Sequence, residues 1–115
     1  MTDTDRIKEF LAAQEIMVIA VVLPDGSPWA VPVHARHIGK GVFVWESKSD
    51  TVHSEAIEER PQVAITIFEG MVGFYATGTA TLIDISTRGV GRYEFTATAM
   101  WMTDETYIKR SVVLV

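Results

Sequence analysis

The chain has 115 residues, 48% of them hydrophobic, enough for one compact domain with one core and too few for a second. It contains no cysteine, which excludes a disulfide framework, a thiolate nucleophile and an iron–sulfur site. A formal charge of -5, with the basic residues scattered, gives no general attraction for nucleic acid, so any anionic ligand must be held by a few aimed donors.

In chain order, Thr4 to Gln14 predicts a short helix, capped by Thr4 or Asp5, with Ile7, Phe10 and Leu11 on one stripe. Its polar, acidic start has no signal-peptide pattern, which makes the cytoplasm the expected location. Ile16 to Leu23 is a β-branched run about half as long as the ~20 residues of a membrane span, and it reads as a buried strand. Pro24-Asp25-Gly26-Ser27 is turn chemistry and predicts a hairpin into Pro28 to Ile38. Gly39-Lys40-Gly41 is a second turn, and Val42 to Trp45 a third strand.

After Trp45 the period changes. Ser49 or Asp50 can cap a helix that runs to Arg60 and is stopped by Pro61. Val63 to Phe68 is a fourth strand, Glu69-Gly70 a turn, and Val72 to Ile83 a fifth strand in which Phe74, Ala76 and Ala80 alternate with Tyr75, Thr77, Thr79 and Thr81. For Ser86 to Glu105, Gly89 and Gly91 disfavour a helical start, whereas the Ala and Met content of Tyr93 to Met102 allows a helix; a helix is expected. Tyr107 to Val115 reads as a sixth strand. A sheet of this order is best stabilised by closing on itself, so the expected fold is mainly β: a six-stranded antiparallel Greek-key barrel, one domain over residues 1–115, with flanking short helices.

The chemistry concentrates where the third strand enters its helix. Helix N-termini favour anions, and Ser47, Ser49 and Thr51 offer hydroxyls there, with Lys48 and His53 as possible cations. The same residues also serve as an ordinary capped helix start. His34 and His37, three apart on a strand, face opposite ways, so no metal site is expected from them. Trp29 and Trp101 are candidates for an interface between subunits, while Trp45 and Phe74 suit a core.

From Ile7 to Ile83 these features resemble the FMN-binding split barrels related to pyridoxamine 5′-phosphate oxidase: the leading helix, Pro24-Asp25-Gly26, Pro32-Val33-His34-Ala35, Val42-Phe43-Val44-Trp45, and Glu58-Glu59-Arg60-Pro61. The resemblance implies a homodimer with FMN at the subunit interface and an oxidoreductase acting on a small molecule. It places Val33, His34 and Ala35 along the flavin ring, Glu46 and Ser47 at its polar edge, and Lys48, Thr51 and His53 at the phosphate. The family's Ser-Arg-Lys run is Thr51-Val52-His53 here, and a glutamine that contacts the flavin in relatives falls near Gly73. Haem carriage, a deazaflavin coenzyme in place of FMN, and a scaffold without cofactor are the alternatives the resemblance leaves open. If His53 supplied a cation to the phosphate, FMN affinity would rise from pH 8 to about 6.5.

Overall fold

The computed structural model describes residues 1–114 as a closed antiparallel barrel with two helices. The first helix, α1 (Asp3–Ala12), begins one residue before the expected Thr4 because Thr2 and Asp5 form a reciprocal capping box: Asp5 N donates to Thr2 Oγ1 (3.1 Å) and Thr2 N to Asp5 Oδ2 (3.3 Å). Ile7 and Leu11, four apart, share one face of α1 and are buried.

Strand β1 (Ile16–Val22) hairpins into β2 (Pro28–Gly39) through a turn in which Asp25 Oδ1 accepts from Ser27 N at 2.9 Å and from Ser27 Oγ at 2.6 Å. Strand β1 alternates: Met17, Ile19 and Val21 enter the core, whereas Ile16 and Val18 are 55% and 36% exposed. The expectation of a wholly buried strand is thus corrected to one buried face. Strand β3 (Val42–Lys48) follows a turn whose residues Gly39, Lys40 and Gly41 all have positive φ (115°, 53°, 76°), which explains glycine on both sides of Lys40.

The second helix, α2 (Val52–Glu59), leads into β4 (Gln62–Glu69), β5 (Val72–Ile85) and β6 (Val90–Thr103). A two-residue β7 (Arg110–Ser111) completes the sheet in the order β3-β2-β1-β4-β5-β6-β7, and β6 also pairs with β3, closing six strands into the barrel. The order β3-β2-β1-β4 is the Greek key. Phe43, Phe74 and Phe95 meet at its centre with ring centroids 5.8 and 5.9 Å from Phe43, each burying side-chain surface worth about 1.5–3 kcal/mol.

The helix expected within Ser86–Glu105 is replaced by β6. Tyr93 and Phe95 point inward while Arg92 and Thr96 point out, and ladders to β5 and β3 on both sides outweigh the helical preference of the Ala and Met residues. The expected sixth strand over Tyr107–Val115 is confined to β7. Beyond it Val112 N donates to Met100 O (3.0 Å), and Val112 and Leu114 are buried; Val115 lies outside the described residues.

This C-terminal strap is tied to α1 by charge. Arg110 bonds Asp104 (2.7 Å) and Asp3 (2.9 Å), and Arg6 bonds Asp104 (3.1 Å) and Glu105 (3.0 Å). The Arg110 guanidinium and the Thr106 donors hold the Asp104 carboxyl well below the usual carboxylate range.

Candidate functional site

The sequence-derived site residues divide between two places on either side of β3. Strand alternation sends Ser47 toward the barrel end covered by α2, and Glu46 and Lys48 to the outer surface.

At the α2 end, Thr51, not Ser49 or Asp50, is the helix cap: its Oγ1 accepts from Ser54 N at 3.2 Å. The same oxygen lies 3.1 Å from Lys48 O and 2.7 Å from Ser54 Oγ. His53 is 8% exposed, with Nε2 at 2.9 Å from Ser47 Oγ and 3.4 Å from Thr51 Oγ1. Burial lowers the His53 pKa, so the imidazole is neutral near pH 7. Ser47, Thr51, His53 and Ser54 therefore satisfy one another. The first turn of α2 carries an acidic residue, Glu55, rather than a basic one, and Val52 is exposed.

On the outer surface, β2, β3 and β6 meet the end of α1 in a cleft of about 550 Å³, within the range of small-molecule pockets, lined by His34, Arg36, Glu46, Arg92, Gln14 and Glu15. The ladder builds it: Arg36 stands opposite Val44, and Glu46 opposite Arg92. Ala35 N donates to Glu15 O (3.1 Å), which fixes the segment after α1 against β2. Ala35 also lines the cleft, although its side chain and that of Val33 belong to the core. His34 is exposed, while His37 turns the other way, its Nε2 accepting from Gly41 N (3.0 Å) and its ring 4.8 Å from Phe43.

Arg36 and Arg92 are without a carboxylate partner among the described residues. Among the described residues Arg6, Arg60 and Arg110 are ion-paired, whereas Arg36, Arg88 and Arg92 are not. Below the cleft, Trp45 stacks on Tyr93 at 6.1 Å, and its indole N–H is buried without a partner. Arg92 escaped sequence reasoning because its segment was expected to be helical; the charged–aromatic alternation Arg92-Tyr93-Glu94-Phe95 was the available signal.

A side chain at Gly73 would have to displace Thr103 and Tyr75. A Cβ there would lie 2.6 Å from Thr103 Oγ1 and 2.7 Å from the Tyr75 hydroxyl, which themselves hydrogen-bond at 3.2 Å. The space beside Gly73, near which the resemblance places a flavin-contacting glutamine, is filled from β5 and β6. The cleft offers guanidinium donors, a carboxylate acceptor and a free imidazole that suit a polar planar ligand. The corner at α2, its hydroxyls and imidazole bonded to one another, does not suit a phosphate as it stands.

Among the described residues no helix is long and apolar enough to cross a membrane. No curated protein matches the chain in sequence. Solved structures share its fold at low identity. A heme binding protein from Mycobacterium smegmatis is 13% identical with a TM-score of 0.86, over 98% of this chain and 58% of that one. A protein related to general stress protein 26 of B. subtilis (pyridoxinephosphate oxidase family), from Clostridium acetobutylicum, is 11% identical with a TM-score of 0.81, over 96% and 93%. HupZ from Group A Streptococcus is 16% identical with a TM-score of 0.76, over 90% and 96%. The family model for pyridoxamine 5′-phosphate oxidase matches residues 3–113, nearly the whole chain, and with the closed Greek-key barrel this establishes that the chain belongs to the pyridoxamine 5′-phosphate oxidase family.

Proposed function

We propose that the protein is a cytoplasmic, homodimeric flavin-binding split barrel that takes FMN in the cleft between β2, β3 and β6 and serves as an oxidoreductase for a small molecule. The carrying observation is that the fold brings Glu46 of β3 beside His34 and Ala35 of β2, each assigned to the flavin ring by resemblance, around one cleft of ligand size. A bound flavin would supply hydride and single-electron chemistry. The chain's own part is to bind and orient: Glu46 accepts from a ligand N–H, Arg36 and Arg92 donate, and His34 is the imidazole placed to exchange a proton.

The dimer is supported by the outer face of β1, β2 and β4. Ile16, Val18 and Phe68 are exposed there, and Ile16 stands opposite His34 in the ladder, so the apolar face runs into the cleft. The visible spectrum tests cofactor binding: the purified or FMN-reconstituted protein should be yellow, and a colourless protein that takes up no flavin refutes the reading. Turnover with NADH or NADPH then separates an enzyme from a carrier.

A second reading, a haem carrier, is favoured by His34, whose ring has no hydrogen-bond partner among the described residues and which faces the cleft. A Soret band in place of flavin absorbance would select it. Absorbance of a deazaflavin coenzyme would select that third occupant.

A further inference from the structure

We propose that the anionic end of the ligand, the phosphate if the ligand is FMN, is gripped in the outer cleft by Arg36 and Arg92, and not at the N-terminus of α2. The inference takes the identity of the ligand from the flavin reading, but the location of the anion site follows from this chain's own side chains.

The N-terminus of α2 is a poor anion seat on three counts. A helix end carries about half a positive charge. Against it stand the full negative charges of Glu55 in the first turn and Asp50 just before the cap. The cap hydroxyl is already committed to Ser54 N, and the imidazole to Ser47. Lys48, the nearest cation in sequence, lies on the outer face of β3 with Glu46, on the cleft's side of the strand.

The cleft differs in holding two guanidiniums whose donors are not committed within the described residues. Arg36 and Arg92 are two of the three arginines that make no ion pair among the described residues, and both line it. Arg92 stands between Glu46 on β3 and Asp84 on β5 in the ladder, yet is within ion-pair distance of neither. Cross-strand opposite charges ordinarily pair. Here the guanidinium keeps its donors free, and guanidinium is the side chain whose planar fork matches carboxylate and phosphate. Glu46, Glu15 and Glu94 on the same surface oppose an anion placed at random, so the site selects a ligand that brings its anion to the arginines and a hydrogen-bond donor to Glu46.

The test compares the Kd of FMN with that of riboflavin, which lacks the phosphate, by fluorescence quenching. Arg36→Gln and Arg92→Gln, both at exposed positions, should each shrink the FMN preference by about tenfold. Thr51→Asp keeps a competent helix cap while adding a negative charge at the α2 corner, and it should leave the preference within about twofold. Loss of the preference in Thr51→Asp, or its retention in both arginine variants, overturns the proposal. If neither flavin binds, inorganic pyrophosphate is titrated into the ¹⁵N-labelled protein. Shifts of the Arg36 and Arg92 Nε–H signals without shifts at Ser49–Ser54 support the arginine site even as the flavin reading fails, and any other pattern overturns it.

Discussion

The imidazole Nε2 of His53 lies 2.9 Å from the hydroxyl of Ser47, sealed between β3 and α2. That contact turns a residue expected to carry charge into a neutral part of the packing. His37, half-buried over the β2–β3 turn, is held neutral by the same desolvation. Both folded-state pKa values lie below the ordinary 6.5, so below that pH the unfolded chain binds more protons than the folded one. Stability should fall as the pH drops from about 7 toward 5, read as a falling urea midpoint. In His37→Gln/His53→Gln that slope should flatten. FMN affinity, expected from sequence to rise between pH 8 and about 6.5 through His53, should have a pH profile unchanged in His53→Gln, because burial lowers the His53 pKa and its imidazole is bonded to Ser47.

Asp104 joins two arginines on different elements while being 5% exposed. Asp104→Asn should lower the thermal midpoint more than Glu105→Gln, which removes only an exposed partner of Arg6. The folded pKa of Asp104 is depressed, so its contribution is fully present above the unfolded value of about 3.8 and is lost as the pH falls toward the folded one. Thermal scans at pH 7 and pH 3 check this: the gap between wild type and Asp104→Asn should narrow at pH 3.

At Gly73 even one methyl group meets Thr103 and Tyr75. Gly73→Ala should cost about 1–3 kcal/mol by urea denaturation, as overpacking does. Gly73→Gln should bring no gain in flavin affinity, because the wild-type contact of Tyr75 with Thr103 occupies the place that the longer side chain needs.

Val18 sits at the middle of the apolar outer face, opposite Pro32 on β2 and Thr66 on β4. Placing a carboxylate there, Val18→Glu, should convert a dimer to a monomer in sedimentation equilibrium while leaving the circular dichroism spectrum unchanged, since the position is already solvent-facing within one chain.

Much of the barrel could be read from sequence because its first half is punctuated. Asp25-Gly26, Gly39-Lys40-Gly41 and Pro61 mark ends, and between them β-branched residues keep period two. β6 was not readable in this way: Ala97, Ala99, Met100 and Met102 carry helical preference, and only the neighbouring β3 and β5, distant in sequence, decide the outcome. The site inherits that limit. Ser47, Thr51 and His53 are recognisable as the right chemical types, but their bonding to one another depends on how α2 closes over the barrel end. Arg92 joins Arg36 across β3 only once β6 is a strand.

The seam between β3 and β6 also sets an order for folding. Val42 pairs with Thr96 and Lys48 with Val90, partners 54 and 42 residues apart along the chain. As the chain leaves the ribosome, the β1–β2–β3 meander can form early by local contacts, but the free edge of β3 has no partner until β6 has been synthesised. Through that interval Phe43 and Trp45, later among the most deeply buried side chains, are carried on an open strand edge, the part of a nascent barrel most prone to pair with another chain. Slowing translation beyond residue 60 should therefore raise aggregation of this protein more than slowing it before residue 40.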